Sequence, residues 1–239
     1  MAGHLAGALY LIPNSLGDGE LKDVLPITTV ERLRSLRYFI AEDPKIARQL
    51  LKRAVSLTPL QEIQIRRLDE HTPAKELPEL LLPIASGMDG GLVSDAGCPV
   101  VADPGYPLVR LAHERGIKVV PLVGPSAITL ALMASGMDGQ RFAFHGYLPI
   151  EEGQLATKLR DLERESRRFH QTQIFIETPY RNDRMLGVLL RSLSDATFVC
   201  VATNLSLSNE TVLSRTVRDW RRETLPRLKD QPSVFLLAS

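Results

Sequence analysis

The stretch "GGLVSDAGCPVVADPG", residues 90–105, decides how the rest of the chain is interpreted. It begins as a short apolar run typical of a buried β-strand and continues with aspartates, glycines and prolines, which end a strand and expose its backbone. Small side chains at Ala96 and Gly97 would let a ligand lie against main-chain groups, and Asp95 could accept hydrogen bonds from a hydroxyl or a cation. A tight connection built from turn residues is the alternative interpretation.

Short apolar runs alternate with helical patterns on both sides of this stretch. Strands are predicted at "ALYLI" (8–12), "RYFIAE" (37–42), "GGLVS" (90–94) and "IKVVPLV" (117–123). Helical patterns such as "PKIARQLLKRA" and "SAITLALMASG" follow the strands, the latter ending at Gly136. Strands that alternate with helices pair in parallel through crossovers, so the sequence predicts an open α/β sheet.

The segments that follow four of these strands are rich in polar and turn-forming residues. They read "PNSLGD", "EDPK", "SDAGCP" and "VGPSA". Ligands bind just beyond the carboxyl ends of the strands in an open parallel sheet, so we expect the four loops to line one cleft. Ser126 could cap the helix that follows the last loop, and the exposed N–H groups of that helix start could also bind a polar ligand.

The pattern changes after about residue 139. A long helix is predicted at 152–170, and strands flank a short helix that contains Trp220. We therefore expect two α/β domains. The predicted N-terminal domain covers residues 1–139 and has a mainly parallel sheet, and the predicted C-terminal domain covers residues 140–239 and has a mixed sheet.

Composition limits the classes of partner and the cellular compartment. The chain has 239 residues and a net charge of +1, which leaves no global field for nucleic acid or acidic lipid, so a polyanion would need a local patch. Cys98 and Cys200 are far apart and lack CxxC spacing, which argues against a disulfide framework and a structural zinc site. No segment reaches membrane-spanning length and the N-terminus lacks a basic signal region, so a cytoplasmic protein without a metal is expected.

Several common catalytic motifs are missing from the sequence. No GxGxxG follows the first strand, and GxxxxGK[ST], GxSxG and HExxH do not occur, which argues against NAD, ATP, a serine-hydrolase elbow and a zinc protease. The histidines at positions 4, 71, 113, 145 and 170 are scattered, so surface or packing roles are expected for them, with His71 the one of most interest.

Three further groups of charged residues have both a structural and a functional interpretation. Glu42 and Asp43 end a strand and Lys45 lies in the next helical turn, where acidic residues also suit the helix dipole. Glu177 and Arg181, in "IETPYRN", could bind a substrate or form an ion pair between domains. A helix face with several arginines is usually only solvated but could contact phosphate; these are Arg160, Arg164, Arg167 and Arg168.

Four segments resemble the tetrapyrrole methylase superfamily in order and spacing. They are "LVSDAGCPVVADPGYPLVRLA" (92–112), "GIKVVPLVGPSA" (116–127), "ASGMDGQRFAFHGYLP" (134–149) and "IFIETPYRN" (174–182). The similarity is greatest to the branch of ribosomal RNA small-subunit methyltransferase I, a cytidine 2′-O-methyltransferase. The resemblance implies two tetrapyrrole-methylase-like α/β domains, S-adenosylmethionine in the cleft between them, and a homodimer.

The same resemblance implies which residues contact the cofactor. The first three loops would contribute Pro13, then Asp95, Ala96, Gly97 and Cys98, and then Ser126 and Ala127; the second domain would contribute Ala202 and Ser233. The chain also departs from the branch. Its first loop, "LIPNSLGD", is shorter and lacks a Thr-Pro pair, and Cys98 and Pro44 replace threonines.

We therefore expect a methyltransferase that uses S-adenosylmethionine and acts on a ribose 2′-hydroxyl of ribosomal RNA. A 2′-hydroxyl needs a group that takes up its proton, for which Glu42 and Asp43 are the candidates. Lys45, Glu177 and Arg181 are the candidate substrate-binding residues. Two alternatives stay open: a tetrapyrrole or other small-molecule acceptor, and a regulatory protein that binds the cofactor without turnover, which the altered first loop suggests.

Overall fold

The computed structural model describes residues 6–239, and His4 lies outside the described residues. The chain divides into two compact units, one ending at Pro125 and the other spanning Ser126–Ser239. The sequence pattern puts a domain boundary at 139/140, whereas this division assigns the helix at residues 127–135 to the second unit.

The first unit has a parallel β-sheet, and its helices alternate with the strands along the chain. Its elements are β1 (Ala8–Ile12), α1 (Leu21–Val24), α2 (Ile27–Ser35), β2 (Tyr38–Ala41), α3 (Pro44–Arg53), β3 (Gln64–Arg67), a 3₁₀ turn (Ala74–Glu76), α4 (Leu77–Ala85), β4 (Gly90–Val93), α5 (Tyr106–Glu114) and β5 (Lys118–Pro121).

The strand order of this sheet produces a crevice at the carboxyl ends of two neighbouring strands. The order is β3-β2-β4-β1-β5 and every pairing is parallel. One core cluster contains residues of α1, α2 and α3, and another contains residues of α4 and α5. The chain therefore leaves the neighbouring strands β1 and β4 toward opposite faces, which opens a crevice beyond their carboxyl ends.

The second unit has a mixed sheet. Its elements are α6 (Ala127–Ser135), β6 (Phe142–Tyr147), α7 (Glu152–Phe169), β7 (Thr172–Ile176), a 3₁₀ turn (Pro179–Arg181), α8 (Asn182–Ser192), β8 (Phe198–Thr203), β9 (Thr211–Thr216), α9 (Val217–Trp220) and β10 (Ser233–Ala238). The strand order is β6-β7-β10-β8-β9, and only the β6–β7 pairing is parallel.

The core of the second unit lies between its sheet and the helices α7 and α8. Leu155, Leu159 and Leu162 of α7 are buried against Phe175 and Phe235, whose rings stack with centroids 5.9 Å apart. Trp220 is fully buried, and its indole N–H donates to the Val199 carbonyl oxygen at 2.9 Å. The apolar face of the long helix therefore supplies much of this core, as its periodicity predicts.

The predicted α/β fold class is confirmed and the first sheet is parallel. Besides the short helix α1 and the 3₁₀ turn, strand β3 and helix α4 of the first unit were not predicted. Strand β3, "QIRR", lies at the sheet edge and is largely exposed, so it lacks the apolar run by which a buried strand is recognised. Helix α4, "LPELLLPIA", contains Pro78 in its first turn and Pro83 in its interior. Interior proline disfavours a helix, and burial of Leu80, Leu81 and Ile84 offsets that cost.

Candidate functional site

The carboxyl edge of the first sheet brings together the four loops selected from the sequence. Asn14, after β1, and Gly97, after β4, form a two-residue bridge in which Asn14 N donates to Gly97 O at 2.9 Å and Gly97 N donates to Asn14 O at 3.2 Å. The Asn14 side-chain amide also donates to the carbonyl oxygens of Ser94 and Asp95, at 3.3 and 3.0 Å. The conformation of the β4 loop therefore depends on the loop after β1.

Gly97 adopts a backbone conformation that other residues rarely take. Its φ is +70°, and a Cβ atom built there would lie 3.2 Å from Leu16 Cδ2 and 3.5 Å from the Pro125 carbonyl oxygen. The neighbouring Ala96 is exposed at the loop surface. Positive φ and close neighbours explain a glycine at this position. Gly97 itself is buried and bonded to Asn14 through both its N–H and its carbonyl group, so Ala96 is the exposed part of this turn.

Cys98 and Pro13 both contact the loop after β5. The Cys98 thiol donates to the Pro125 carbonyl oxygen at 3.4 Å, and burial raises the pKa of this thiol. Pro13 is buried, and a Cβ atom on Gly124 would lie only 2.2 Å from Pro13 Cγ, so the two loops touch directly. Pro13 and Cys98 therefore have a structural role, because they connect the loops after β1 and β4 to the loop after β5. Their contact with a cofactor remains a prediction.

Carboxylates concentrate where β2 and β4 end. Burial, followed by the charges of Asp95 and Asp103, raises the pKa of Glu42. Burial also raises the pKa of Asp95 and of Asp103. Within residues 6–239, no salt bridge reaches any of these carboxylates; the nearby Asp69 is paired with Arg67 at 2.8 Å. The edge is therefore a negatively charged site suited to a cation.

The raised pKa of Glu42 predicts a pH-dependent effect of removing its charge. A carboxyl group whose pKa is higher in the folded chain contributes stability that is present below its unfolded value, about 4.3, and lost as pH rises through the folded value. Glu42→Gln should therefore melt at a higher temperature than wild type at pH 7, and the difference should shrink as the pH approaches about 4. Thermal melts of both proteins across this range test the prediction; a pH-independent difference contradicts it.

Asp43 and Glu42 have different roles although they are adjacent. Asp43 is the N-cap of α3, and its carboxylate accepts from Lys45 N at 2.7 Å. Its backbone N–H donates to the Asp95 carboxylate at 3.3 Å. Capping, the structural interpretation of this acid pair, therefore applies to Asp43, whereas Glu42 is affected by burial and by the charges of Asp95 and Asp103.

Two residues of the site were not selected from the sequence although they lie in or near the quoted loop. Asp103 accepts a hydrogen bond from the Ser94 hydroxyl, and that hydroxyl also lies 2.7 Å from the Ala96 carbonyl oxygen. Asn14 is the residue that joins the first two loops. The repeated aspartate in "SDAGCPVVADPG" was the available signal for Asp103, and Asn14 had none beyond its place after a strand.

The four cofactor candidates of the second unit lie at a helix start or within strands. Ser126 caps α6, accepting from Thr129 N at 3.4 Å, as its position predicts, and Ala127 is the first residue of that helix. Ala202 is fully buried in β8. The Ser233 hydroxyl lies 3.1 Å from that of Thr203 and donates to the Gln231 carbonyl oxygen at 3.0 Å.

Glu177 and Arg181 form an ion pair at the carboxyl end of β7. Glu177 Oε1 accepts from the Arg181 guanidinium at 2.7 Å and from Thr178 N at 2.6 Å. Hydrogen bonding to Glu177 raises the pKa of Arg181, whose Nε atom is buried without a partner. Both residues belong to the second unit, so the alternative of a pair between domains is wrong; a substrate-binding role remains a prediction.

The arginines of α7 are exposed, and most have a partner. Arg164 pairs with Asp161, Arg160 donates to the Thr157 hydroxyl at 3.1 Å and Arg167 donates to the Ser239 hydroxyl at 3.0 Å. These contacts favour the interpretation of a solvated helix face.

Histidines and thiols have no common site in the described part of the chain. His71 is exposed, and His145 Nε2 lies 2.6 Å from Gln173 Oε1. Cys98 and Cys200 are free, and burial raises the pKa of Cys200 to about 11. Among residues 6–239, no three His, Cys, Asp or Glu side chains are placed to hold a metal ion, and no helix has the length and apolar character needed to cross a membrane.

Comparison with known proteins identifies relatives over nearly the whole chain. The family model of Tetrapyrrole (Corrin/Porphyrin) Methylases matches residues 9–220. Ribosomal RNA small subunit methyltransferase I of Mesorhizobium japonicum is 34% identical over 218 residues, which are 90% of this chain and 69% of that protein. The Escherichia coli O157:H7 protein of the same name is 32% identical over 228 residues, 94% of this chain and 76% of that protein.

A solved structure has the same fold. The crystal structure of the methyltransferase CobJ aligns with a TM-score of 0.64 over 98% of this chain and 95% of its own, at 17% sequence identity. At that identity the likeness shows the fold alone.

Proposed function

This chain is a methyltransferase of the tetrapyrrole methylase family, and from that premise we propose that it methylates a ribose 2′-oxygen of small-subunit ribosomal RNA, using S-adenosylmethionine. The relatives that are 32–34% identical are named ribosomal RNA small subunit methyltransferase I, and this name supports ribosomal RNA as the acceptor. The observation that supports the cofactor most directly is the group of carboxylates, Glu42, Asp95 and Asp103, which form no salt bridge within residues 6–239 and adjoin the exposed Ala96 of the β4 loop. S-adenosylmethionine has a sulfonium and an ammonium group, and both are cations that this edge would attract.

The residues of the first unit suit this cofactor in shape as well as in charge. Ala96 is small and exposed, so no large side chain covers the loop there, and Asp95 can accept hydrogen bonds from an ammonium or a hydroxyl group. The cofactor supplies an electrophilic methyl group. The loops after β1 and β5 hold the β4 loop from both sides, which keeps its main-chain groups in fixed positions.

Glu42 is the residue best placed to accept a proton in this proposal. Methyl transfer forms an O–CH₃ bond as the S–CH₃ bond breaks, and the hydroxyl proton must pass to a base. The raised pKa of Glu42 makes its carboxylate a stronger base than an ordinary glutamate. Asp43 is engaged as a helix cap, so we assign the base to Glu42 and a positioning role to Asp43.

Ribose methylation mapping on purified RNA tests the acceptor. Small-subunit ribosomal RNA and small ribosomal subunits, both from cells that lack this activity, would be incubated with the protein and methyl-labelled S-adenosylmethionine. We expect label on a ribose 2′-oxygen. Label on a base, or no label on either substrate, contradicts the proposed acceptor.

Two measurements separate the proposal from the open alternatives. Label that survives ribonuclease digestion in the small-molecule fraction of a cell extract would favour a tetrapyrrole or other small acceptor. Calorimetry with S-adenosylmethionine and S-adenosylhomocysteine tests the cofactor, and no binding below millimolar ligand contradicts it. Binding of the cofactor without transfer to any acceptor would favour the regulatory alternative.

The proposal also covers the oligomeric state of the protein and its location in the cell. We propose a homodimer in the cytoplasm, where the RNA acceptor is found; two-fold dimers are the commonest oligomers. Light scattering that reports a monomer at every concentration contradicts the dimer.

A further inference from the structure

Helix α3 carries only positive charge. Its sequence, "PKIARQLLKR", contains lysine and arginine at four positions and no acidic residue. Ala47, Leu50 and Leu51 form its buried face. Lys45, Arg48 and Lys52 follow one another at spacings of three and four residues, so they lie along one exposed face of the helix. We call these three residues the α3 stripe.

The charges of the α3 stripe have no partner in the described part of the chain. The fourth cation of the helix, Arg53, donates to the Ser15 hydroxyl at 3.0 Å and to the Gly19 carbonyl oxygen, which fixes the first loop. No hydrogen bond or ion pair of residues 6–239 involves the side chains of Lys45, Arg48 or Lys52. Arg53 therefore has a structural role and the α3 stripe does not.

The position of Lys45 opposes the local preference of a helix. The N-terminus of a helix is the positive end of its dipole, where acidic residues stabilise and cations destabilise. Lys45 lies in the first turn of α3, two residues after the cap Asp43. A residue that breaks a local rule without a contact that compensates for it is more often explained by function than by stability.

The α3 stripe begins beside the carboxylates that would repel an RNA acceptor. Glu42 and Asp43 lead directly into α3, and the carboxylates of Asp95 and Asp103 lie close enough to act on the charge of Glu42. A polyanion approaching this edge is repelled unless cations lie close by, and the net charge of +1 supplies no global attraction. The stripe starts within one helical turn of Glu42 and extends for about 10 Å, the length of about three stacked nucleotides.

From these observations we propose that the α3 stripe binds the sugar-phosphate backbone of the RNA acceptor on the approach to Glu42. This inference rests on the proposed function, because it requires an RNA acceptor. Phosphate contacts position a nucleic acid without reading its sequence, and flexible lysine and arginine side chains suit that task. The arginines of α7 are the other basic face, but Arg160, Arg164 and Arg167 already have intramolecular partners.

A triple variant with a matched control tests the α3 stripe. The test variant is Lys45→Gln, Arg48→Gln and Lys52→Gln. The control is Lys75→Gln, Arg110→Gln and Lys118→Gln, which removes the same residue types from exposed positions of the same unit, outside α3 and the candidate site. Affinity for deproteinised small-subunit ribosomal RNA would be measured from about 0.05 to 0.2 M salt, and affinity for S-adenosylmethionine by calorimetry.

The test variant should bind the RNA at least about tenfold more weakly at the lower salt, and its plot of log affinity against log salt should be shallower by about 2. Affinity for S-adenosylmethionine should be unchanged, which also reports that the site is folded. The single variant Arg48→Gln should lower the slope by about 1, and the control should behave as wild type.

The outcomes separate this inference from the function on which it rests. If wild type methylates the RNA and the test variant keeps the wild-type salt slope, the α3 inference is overturned and the proposed function stands. An equal loss in the control also overturns the inference, because it shows an effect of net charge alone. If wild type neither binds nor methylates the RNA, both are overturned.

Discussion

Methyl transfer by the Glu42→Gln variant is expected to fall by about 100-fold or more, while affinity for S-adenosylmethionine stays close to that of wild type. Glutamine keeps the size of the side chain but cannot take up the hydroxyl proton. The carboxylates that raise the pKa of Glu42 remain, so the charge of the site is only partly reduced. Single-turnover methylation of the RNA acceptor, with calorimetry of the cofactor, measures the two quantities separately.

Glu62→Gln is the control for this experiment, because Glu62 is an exposed glutamate of the same unit and is not among the charges that shift the pKa values of Glu42, Asp95 and Asp103. It should methylate at the wild-type rate. The thermal melts described above add a readout that a purely structural role would not produce. A Glu42→Gln protein that is more stable at pH 7 and inactive fits a charged group kept for function at a cost in stability. Full activity in that variant would remove Glu42 from the proposed chemistry.

Gly97→Leu is expected to lose cofactor affinity by more than about tenfold, equivalent to about 1.4 kcal/mol. The leucine side chain would occupy the space beside the main-chain groups of the β4 loop and would meet Leu16 and the Pro125 carbonyl oxygen. The left-handed backbone also disfavours any residue other than glycine by about 1–2 kcal/mol. Calorimetry with S-adenosylmethionine measures the loss of affinity, and a thermal melt measures the loss of stability.

The chain offers a matched control for the backbone effect. Gly116 has a φ of +66°, close to the +70° of Gly97, but nothing lies within 4 Å of a Cβ atom built there. Gly116→Leu should therefore show a similar backbone penalty with intact cofactor binding. Equal losses of affinity in the two variants would mean that destabilisation, and not a blocked site, explains the Gly97 result.

Much of the secondary structure could be predicted from the sequence because its causes are local. The apolar runs of β1, β2 and β4 and the periodicity of α3 and α7 involve residues a few positions apart. The cap at Ser126 and the left-handed Gly136 at the end of α6 follow from the chemistry of single residues. The four-residue helix α1 was missed because it is too short to show a helical period. Strand β3 and helix α4 were missed because their formation depends on burial and pairing with distant residues, which local propensity does not report.

The loops of the candidate site could also be selected by their position after strands. Their contacts could not, because they depend on the strand order β3-β2-β4-β1-β5. That order makes β4 a neighbour of both β1 and β2, and so places Gly97 against Asn14 and Asp95 against Asp43. Sequence distance contains no information about such neighbours, which lie about eighty and fifty residues apart along the chain.

By itself, the sequence determined the family, the alternation of strands and helices, and the place of Asp95, Ala96 and Gly97 in a loop at a strand end. Only the tertiary structure divided the roles of Glu42 and Asp43, two adjacent acids that local rules treat alike. The direction of the chain at the start of α3 turns Asp43 onto the helix N–H groups, where it caps. Glu42 does not cap the helix, and burial together with repulsion from the like charges of Asp95 and Asp103 raises its pKa.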